Sequence, residues 1–362
     1  FTKKCWSFLI TPTFIIEPLI LSEYATVFHI KKSYVIFLIY WKDKINLKRK
    51  GYLYQNIYKL KNIEAAYNEV CKNTKNKRKV YNYKQYKCIY ISRVYNILKN
   101  KEYSVGKYNI FYITDPKPRR IVSQGIQDKI VNHLVSRQIL YPALLPCLIE
   151  ENVASRKNKG TREGLRLFQE FHRKCNVKYK NYYILKCDIS KFFASINKDI
   201  LKEKLKKKIK DKDALKIVFD IIDSEENGLG IGNMTSQILA IFYLNDFDHF
   251  VKEKLHIKYY VRYQDDFLLF HKSKDYLKYC LEEIRKFLNK EDLRLNNKTR
   301  LYNNNNNFIF LGRNKYGRYA RYRTIKKRLK IKKIYYENGL ISLPSIVSSQ
   351  ICYNSLVKKY SL

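Results

Sequence analysis

Three aspartates stand beside apolar segments that are typical of buried strands. Asp188 ends "YYILKCD" (182–188), and the pair Asp265-Asp266 interrupts the apolar run "YYVRYQDDFLLF" (259–270). Acids at the ends of two neighbouring strands can hold two divalent cations about 4 Å apart, an arrangement that activates a hydroxyl nucleophile and stabilises a departing pyrophosphate. A site with so few carboxylates favours Mg²⁺, which keeps water and takes substrate phosphates as ligands. The alternative for each acid is an ordinary polar turn or strand end.

The segments around these acids alternate between helical and strand-like patterns. A glycine-rich loop, "GLGIGN", opens a helix in which Thr235 or Ser236 is the expected N-cap. Other helices are predicted over 50–100, 126–141 (ending before Pro142), the segment after the basic loop 155–164, 200–223 and 276–289. Two strands are predicted within 103–123, one on each side of Asp115-Pro116, and another begins at 182. Residues 259–270 are predicted to form a hairpin with Gln264-Asp265-Asp266 at its turn. A further strand is predicted on each side of the asparagine tract 303–307.

The charge of the chain favours a polyanionic partner. Its 362 residues include 73 Lys and Arg against 32 Asp and Glu, a formal net charge of +41. Such an excess destabilises a compact fold by self-repulsion unless phosphates neutralise it, and nucleic acid supplies phosphates at high density. A compositional bias toward Lys, Asn, Tyr and Ile is the alternative explanation. The chain is also 46% hydrophobic, which is enough apolar material for a sizeable core.

The cysteines and the apolar runs near the N-terminus argue against a secreted or membrane-spanning protein. The eight cysteines show no CxxC pair and no Cys/His spacing for zinc, which predicts reduced thiols in a cytoplasmic protein. The run "FLITPTFIIEPLIL" is broken by Pro and Glu, and "SYVIFLIYW" is far shorter than the roughly 20 apolar residues of a spanning helix. Because the only methionine is Met234, we expect residues 1–48 to be a non-native upstream extension and the working protein to begin near Lys48.

Five short motifs carry a resemblance to a known enzyme family. "DISKFF", "GIGNMTSQ", "RYQDDF", "LNNKT" and "FLG", in this order, resemble the successive palm motifs of reverse transcriptases, and "DPKPRRI" and "ASRKNKGT" resemble their finger motifs. The resemblance covers roughly residues 50–320. Within the family, "IGNMTSQ" looks most like the enzymes of bacterial diversity-generating retroelements and departs from those of group II introns. Retron and phage-defence reverse transcriptases are near neighbours.

The resemblance implies an α+β fold of the right-hand polymerase type. Its parts are fingers, a palm made of an antiparallel sheet packed by helices, and a short basic thumb. We accordingly expect N-terminal helices and fingers over 49–181, the palm over 182–317 and the thumb over 318–362. The basic stretch "YRTIKKRLKIKK" (322–333) is the expected thumb helix. The segment is short for a full thumb, which suggests truncation.

The same resemblance assigns roles to the acids and their surroundings. Asp188 and Asp265 are implied as the principal metal ligands, with Asp266 assisting and the backbone carbonyl of Ile189 contributing. Lys298 of "LNNKT" is implied as the proton donor to pyrophosphate, against the alternative of a solvated surface lysine. The implied cofactor is a pair of Mg²⁺ ions, with Mn²⁺ as a substitute.

Further residues are implied to contact the nucleotide and the primer. Phe193 matches the aromatic that excludes a ribose 2′-hydroxyl, while Phe192 is expected to point into the core. Ile231 stands where many reverse transcriptases place a glutamine, and an aliphatic side chain there lowers discrimination against a wrong pair because it makes no hydrogen bond. The other implied nucleotide contacts are Arg119, Arg120, Arg156, Lys159, Gly232 and Gln237. The implied primer grip is Phe310, Leu311 and Gly312.

The function implied is RNA-directed DNA synthesis from dNTPs, with error-prone copying of adenines in a diversity-generating retroelement. The expected partners are a template RNA, an RNA/DNA hybrid, dNTPs and a small basic accessory protein, with no membrane. One alternative is a phage-defence or retron-type reverse transcriptase with the same chemistry. Another is a non-catalytic RNA-binding protein on a polymerase scaffold.

Overall fold

The acid at the end of "YYILKCD" lies on an inner strand of a four-stranded antiparallel sheet. A computed structural model describes residues 49–113, 119–317 and 322–360. Its strands are β1 Asn109–Ile113, β2 Arg119–Ser123, β3 Tyr183–Asp188, β4 Tyr259–Tyr263, β5 Asp266–His271 and β6 Arg300–Asn303. β1 and β2 form a separate hairpin, and the larger sheet has the order β4-β5-β3-β6 with antiparallel neighbours throughout. The α+β class with an antiparallel sheet packed by helices is therefore confirmed.

Helices account for most of the remaining described chain. The longest of them, at 19 residues, follows the basic loop at 155–160. In chain order the helices are α1 Leu60–Asn73, α2 Lys77–Gln85, α3 Lys87–Lys99, α4 Ile126–Leu134, α5 Tyr141–Leu144, α6 Thr161–Tyr179, α7 Phe192–Ser195, α8 Lys198–Lys206, α9 Lys212–Asp223, α10 Met234–Tyr243, α11 Asn245–His249, α12 Lys274–Lys290, α13 Tyr322–Glu337 and α14 Leu343–Tyr360. Short 3₁₀ turns at Tyr54–Asn56 and Leu145–Cys147 and π-helical turns at Val135–Leu140 and Phe250–Lys254 complete the set.

Both faces of the larger sheet are covered, which explains why its strands read as continuous apolar runs. On β3, Ile184 joins an aromatic cluster under α6, whereas Leu185 and Cys187 join the main core on the other face, which α12 covers. The aromatic cluster includes Phe168 of α6, whose ring centroid lies 5.5 Å from that of Phe310. Strands buried in this way are held rigidly, so the polar side chains at their ends keep fixed positions.

Three local predictions are wrong, each because a backbone or tertiary contact outweighs the local pattern. The helix from 126 does not end before Pro142: a π-helical turn leads into α5, and Pro142 lies in its first turn, where a missing N–H is tolerated. The N-cap of α10 is the extended Asn233 and neither Thr235 nor Ser236. Thr235 is buried, and its hydroxyl donates to Asn132 Oδ1 at 2.5 Å.

The asparagine tract does not lead into a second strand. β6 ends at Asn303, and the chain beyond it forms a tight turn in which Phe310 and Arg313 exchange backbone hydrogen bonds of 2.9 and 3.0 Å. The two residues between them, Leu311 and Gly312, have positive φ angles of 48° and 84°. Leu311 and Gly312 of "FLG" thus form a two-residue turn, which the pairing of Phe310 with Arg313 closes.

Several expectations lie outside the described residues. They concern residues 1–48, the turn at Asp115-Pro116 and the start of the basic tail at 318–321. The described part of that tail forms a helical hairpin of α13 and α14. Six cysteines of the described chain are free thiols: Cys71, Cys88, Cys147, Cys175, Cys187 and Cys280. Within the described ranges, we find no helix with the length and apolar character needed to cross a membrane.

A fully buried ion pair holds the turn between β4 and β5. The guanidinium of Arg262 donates to both carboxylate oxygens of Asp248 at 2.6 and 2.5 Å, and neither side chain is exposed. A third nitrogen contact, from Nη1, reaches the backbone carbonyl of Gln264 at 2.9 Å. Tyr260 adds a hydroxyl hydrogen bond of 2.7 Å to Asp248. The pair therefore fixes the backbone of the residue that precedes Asp265.

Removing one partner of this pair should destabilise the fold more than removing both. We expect Asp248→Asn to lower the free energy of unfolding by about 3–5 kcal/mol, because Arg262 would be left as an uncompensated buried charge. The double variant Arg262→Met/Asp248→Leu should recover most of this loss, since it removes both charges. Urea titration followed by circular dichroism measures the difference.

The matched control is Glu253→Gln, which removes an exposed carboxylate paired with His249 at 2.6 Å. Its effect should stay below about 1 kcal/mol, as for other surface pairs. An Asp248→Asn variant as stable as this control would contradict the account of the pair.

Candidate active site

The pairing of β3 with β5 brings the three sequence-predicted acids together. Asp188 and Asp266 are directly opposed in the antiparallel register. The N–H of Ile189 donates to the backbone carbonyl of Asp265 at 3.2 Å, so the β4–β5 turn lies against the end of β3. The sequence predicted Gln264, Asp265 and Asp266 at this turn. The turn contains only Gln264 and Asp265, because Asp266 is the first residue of β5. Residues about 77 positions apart in sequence thus share one site.

The acids line a cleft of about 560 Å³. Its walls come from the end of β3, the β4–β5 turn, α7 and the tight turn at 310–313. The lining residues are Lys186, Asp188, Phe193, Tyr263, Gln264, Asp265, Asp266, Ile309, Leu311 and Gly312. Phe192 is buried in the core while Phe193 faces the cleft, as the sequence predicts for this pair.

Lys186 links the acids to the tight turn on the opposite wall. It precedes Asp188 by two residues on β3 and therefore shares its face of the sheet. Its Nζ lies 3.1 and 3.2 Å from the two carboxylate oxygens of Asp266 and donates to the carbonyl of Ile309 at 3.0 Å. The same Nζ lies 5.7 Å from the centre of the Phe310 ring. One ammonium group thus contacts both walls of the cleft.

The environment of Asp266 disfavours its ionisation. Burial raises the pKa of Asp266 to about 6, the ammonium of Lys186 opposes the shift, and the Asp188 and Asp265 carboxyls add to it. Like charges crowded in this way are stabilised by a cation. The lining offers carboxylate and carbonyl oxygens without any His or Cys, a donor set that suits Mg²⁺.

One of the three acids, Asp266, has a cationic partner at the site. Asp266 is engaged by Lys186, and among the described residues no three Asp, Glu, His or Cys side chains converge as a ready-made metal cluster. Asp188 and Asp265 therefore could hold Mg²⁺ only together with backbone carbonyls, water or ligand phosphates, which is the usual coordination of this ion.

A glycine-containing loop at 228–233 packs against the backbone of Phe193, although none of its residues, including Ile231 and Gly232, lines the cleft. The N–H of Leu229 donates to the carbonyl of Phe193 at 2.8 Å, and a Cβ on Gly228 would lie 2.1 Å from that same oxygen. Further along the loop, the Ile231 carbonyl accepts from the N–H of Val122 in β2 at 3.3 Å. Ile231 itself is 38% exposed, which leaves its side chain accessible to a ligand.

A hydrogen-bond chain joins this loop region to the acid turn. Nε2 of Gln264 donates to Ser155 Oγ at 2.9 Å, and Ser155 Oγ donates to Oε1 of Gln237 at 3.3 Å. The chain connects the β4–β5 turn, the basic loop and α10. Gln237 is exposed, and its amide oxygen is turned toward Ser155.

The basic residues predicted to bind a triphosphate lie elsewhere. Arg156 donates to the carbonyls of Ile149 and Asn152 at 2.6 and 3.0 Å, and Lys159 contacts Glu150 at 2.5 Å, so both side chains fold back on their own loop. Neither lines the cleft.

The other predicted cations are also outside the cleft lining. Arg120 pairs with Glu225 at 3.3 Å, and Lys298 is exposed on the loop before β6. Nothing is described of the Arg119 side chain. The expected primer-grip residues, in contrast, reach the site: Leu311 and Gly312 line the cleft, and Phe310 is buried beneath them.

The sequence analysis missed three residues that position the site. They are Lys186, Arg262 and Ser155, which contact Asp266, the Gln264 carbonyl and the Gln264 side chain respectively. The alternation of β3 could have indicated Lys186, because residues two apart on a strand share a face. Arg262 stood out only as a charge within an apolar run, and nothing in the sequence pointed to Ser155.

Comparisons with known proteins agree with this architecture. Residues 70–314, more than half of the chain, match the model of the family described as reverse transcriptase (RNA-dependent DNA polymerase). No curated protein sequence matches the chain.

The solved structures that the chain matches include telomerases from two Candida species. Apo telomerase from Candida tropicalis, truncated of its C-terminal domain, has 17% identity and a TM-score of 0.46 over 60% of this chain and 56% of that chain. Telomerase from Candida albicans in complex with a TWJ fragment of telomeric RNA has 14% identity and a TM-score of 0.47 over 78% of this chain and 58% of that chain. The chain thus spans little more than half the length of these telomerases. On the family match, the protein belongs to the reverse transcriptase (RNA-dependent DNA polymerase) family.

Proposed function

We propose that the protein is an RNA-directed DNA polymerase that extends a DNA primer by copying an RNA template from dNTPs. The observation that carries the proposal is the opposition of Asp188 and Asp266 across β3 and β5, with Asp265 at the adjoining turn. Membership of the reverse transcriptase family and the net charge of +41 support a nucleic-acid substrate.

In the proposed site, Asp188 and Asp265 are the carboxylates that hold Mg²⁺, with the Ile189 carbonyl as a further ligand. When bound, a pair of Mg²⁺ ions supplies Lewis-acid activation of the primer 3′-hydroxyl and charge neutralisation of the departing pyrophosphate. Asp266 has a different task, because Lys186 engages both of its oxygens. Lys186 neutralises this third carboxylate and ties it to the carbonyl of Ile309, beside the primer-grip turn.

The remaining walls of the cleft fit the primer and the incoming nucleotide. Phe193 presents a ring at the floor of the site, where it excludes a 2′-hydroxyl and favours deoxynucleotides. Leu311 and Gly312 hold the primer end, supported by the buried Phe310. Gly232 and Gln237, the other proposed nucleotide contacts, lie outside the cleft lining, on the loop that packs against Phe193 and on α10. The triphosphate contacts proposed for Arg156 and Lys159 require the basic loop to rearrange, since both side chains are internally bonded.

We further propose that copying is error-prone at adenines, as in diversity-generating retroelements. Ile231 supports this subtype, because its exposed aliphatic side chain offers no hydrogen bond to the nascent base pair. The pattern of Ile231-Gly232 followed by Ser236-Gln237 is the sequence feature on which the assignment depends.

Primer extension on an RNA template tests the proposed activity. Asp265→Ala should lower the rate of extension at least about a thousandfold, equivalent to about 4 kcal/mol of lost transition-state stabilisation. Binding of the RNA/DNA hybrid, measured by fluorescence anisotropy, should change little, because phosphate contacts are unaffected.

The control for this experiment is Asp275→Ala, which removes a carboxylate that is 86% exposed on α12. Its extension rate should equal that of the wild type. A wild-type protein that binds the hybrid but extends no primer would support the RNA-binding alternative instead.

Lys186→Met should separate catalysis from binding. The variant loses the contacts to Asp266 and Ile309, so the primer end should be displaced relative to the acids. We expect kcat to fall about tenfold to a hundredfold, whereas hybrid affinity changes less than threefold. Single-turnover extension and anisotropy measure the two quantities.

Lys186→Arg, which keeps the charge, should lose less activity than Lys186→Met. Lys178→Met, on the exposed end of α6, should have no effect. Full kcat in Lys186→Met would show that the lysine has no positioning role.

Ile231→Gln should reduce misincorporation opposite template adenines. A restored hydrogen bond of about 1 kcal/mol corresponds to a reduction of about fivefold. Sequencing of the cDNA product measures the error spectrum. Ile231→Leu is the matched apolar control. If the wild type, Ile231→Gln and Ile231→Leu give the same error spectrum, Ile231 has no role in base discrimination.

A further inference from the structure

The segment between α9 and α10, residues 224–233 (the connecting loop), is bonded to the two short helices beside the acid cleft. The N–H of Leu229 donates to the carbonyl of Phe193 in α7 at 2.8 Å. The ammonium of Lys198, the first residue of α8, donates to the backbone carbonyl of Glu225. The connecting loop therefore has a fixed position relative to the ring that is proposed to exclude a 2′-hydroxyl.

The connecting loop is also bonded to the β1–β2 hairpin and the residue before it. Three contacts make this junction: Ser224 with Tyr108 at 2.5 Å, Glu225 with Arg120 at 3.3 Å, and Ile231 with Val122 at 3.3 Å. Of the three, only the contact of Glu225 with Arg120 joins opposite charges. A shift of the hairpin is thus transmitted to the connecting loop and from there to α7.

The carboxylate of Glu225 lies beneath its own loop. Its side chain is 5% exposed, and Oε1 is buried without a hydrogen-bond partner among the described residues. A Cβ on Gly230 would lie 2.3 Å from this oxygen, so the backbone of the loop packs directly on the carboxylate. A buried carboxylate is costly unless a cation compensates it, and Arg120, which is 40% exposed, supplies that charge through Oε2. The loop therefore keeps this packing at low cost only while Arg120 remains in contact.

Helix α7 depends on its neighbours for its position. It has only four residues, and its N-cap residue, Lys191, makes no capping hydrogen bond through its side chain. The connecting loop packs on its backbone, because a Cβ on Gly228 would lie 2.8 Å from the carbonyl of Ala194. Neither Glu225 nor Arg120 is among the residues that line the cleft, so any effect of this pair on the reaction passes through α7.

We infer that Glu225 is a positioning residue for sugar selection, which acts through Arg120 and the connecting loop on the ring of Phe193. The inference deepens the proposed function and rests on it, because Phe193 is the proposed barrier to a 2′-hydroxyl. With the ion pair in place, the loop holds α7 and the ring excludes ribonucleotides. Without the pair, the loop loses its charged contact to the hairpin, and α7 can yield to the additional oxygen. A displacement of about 1 Å is enough to change the rate of a reaction that depends on precise positioning.

Single-nucleotide incorporation tests the inference with the full chain. The wild type and variants extend a primer by dCTP or CTP opposite a template guanine, a position outside the adenines where miscopying is proposed. The measured quantity is the selectivity, the ratio of kcat/KM for dCTP to kcat/KM for CTP. Glu225→Gln keeps the size of the side chain and removes its charge. We expect it to lower the selectivity about tenfold, as the loss of one charged hydrogen bond would, and to leave kcat for dCTP within about threefold.

The matched control is Glu226→Gln, which removes the neighbouring exposed carboxylate and should leave the selectivity unchanged. Glu225→Asp, which keeps the charge, should retain more selectivity than Glu225→Gln. A variant that is merely less stable loses rate with dCTP and CTP alike, so its selectivity stays that of the wild type. The midpoint of thermal unfolding is measured for each variant to identify such a loss.

Two double variants test the route of the effect. Arg120→Gln should also lower the selectivity, and combining it with Glu225→Gln should lower it no further, because both changes remove the same contact. Contacts of Arg120 with the triphosphate cancel in the ratio, since dCTP and CTP carry the same phosphates. Phe193→Ala should lose selectivity, and adding Glu225→Gln to it should have no further effect, because the ring through which Glu225 acts is then absent.

The outcomes separate this inference from the proposed function. Wild-type selectivity in Glu225→Gln, together with reduced selectivity in Phe193→Ala, would overturn the role of Glu225 and leave the proposed polymerase intact. A further loss on adding Glu225→Gln to Phe193→Ala would also overturn it, since Glu225 would then act by another route. Wild-type selectivity in Phe193→Ala would contradict the proposed role of that ring and the inference with it. Failure of the wild type to extend any primed RNA would overturn the proposed function itself.

Discussion

The antiparallel register of β3 and β5 is the constraint on which the acid cleft depends. It opposes Asp188 to Asp266 and, through the Ile189–Asp265 backbone contact, fixes the turn beside them. A slip of one residue would move every side chain of β3 to the other face and bury Asp188 in the core. Such a slip is costly because Leu185 and Cys187 pack on one face and Ile184 on the other.

Two cationic side chains, Arg262 and Lys186, also position the turns beside the acids. Arg262 is a fully buried charge that Asp248 compensates, and its further hydrogen bonds go to the backbone carbonyls of Gln264 and Ile241. Lys186 has the same geometric role at the surface of the sheet, because it connects Asp266 with the carbonyl of Ile309. In both cases a long cation holds a backbone carbonyl of a turn, so two short turns that lack regular pairing are anchored to rigid strands.

The sequence by itself predicted the six strands of the described chain, most helices and the three acids that the sheet brings together, because these depend on local periodicity and on short motifs, but the strand that it also predicted after the asparagine tract does not form. The resemblance to reverse transcriptases also implied that Phe192 points into the core and Phe193 toward the site, and the structure places them so. Tertiary structure alone decided the partners of the long cations: Arg156 and Lys159 turn back on their own loop, whereas Lys186 reaches the site. Flexible side chains with three or more donors choose among all carbonyls and carboxylates within reach, and that choice depends on contacts between segments far apart in sequence.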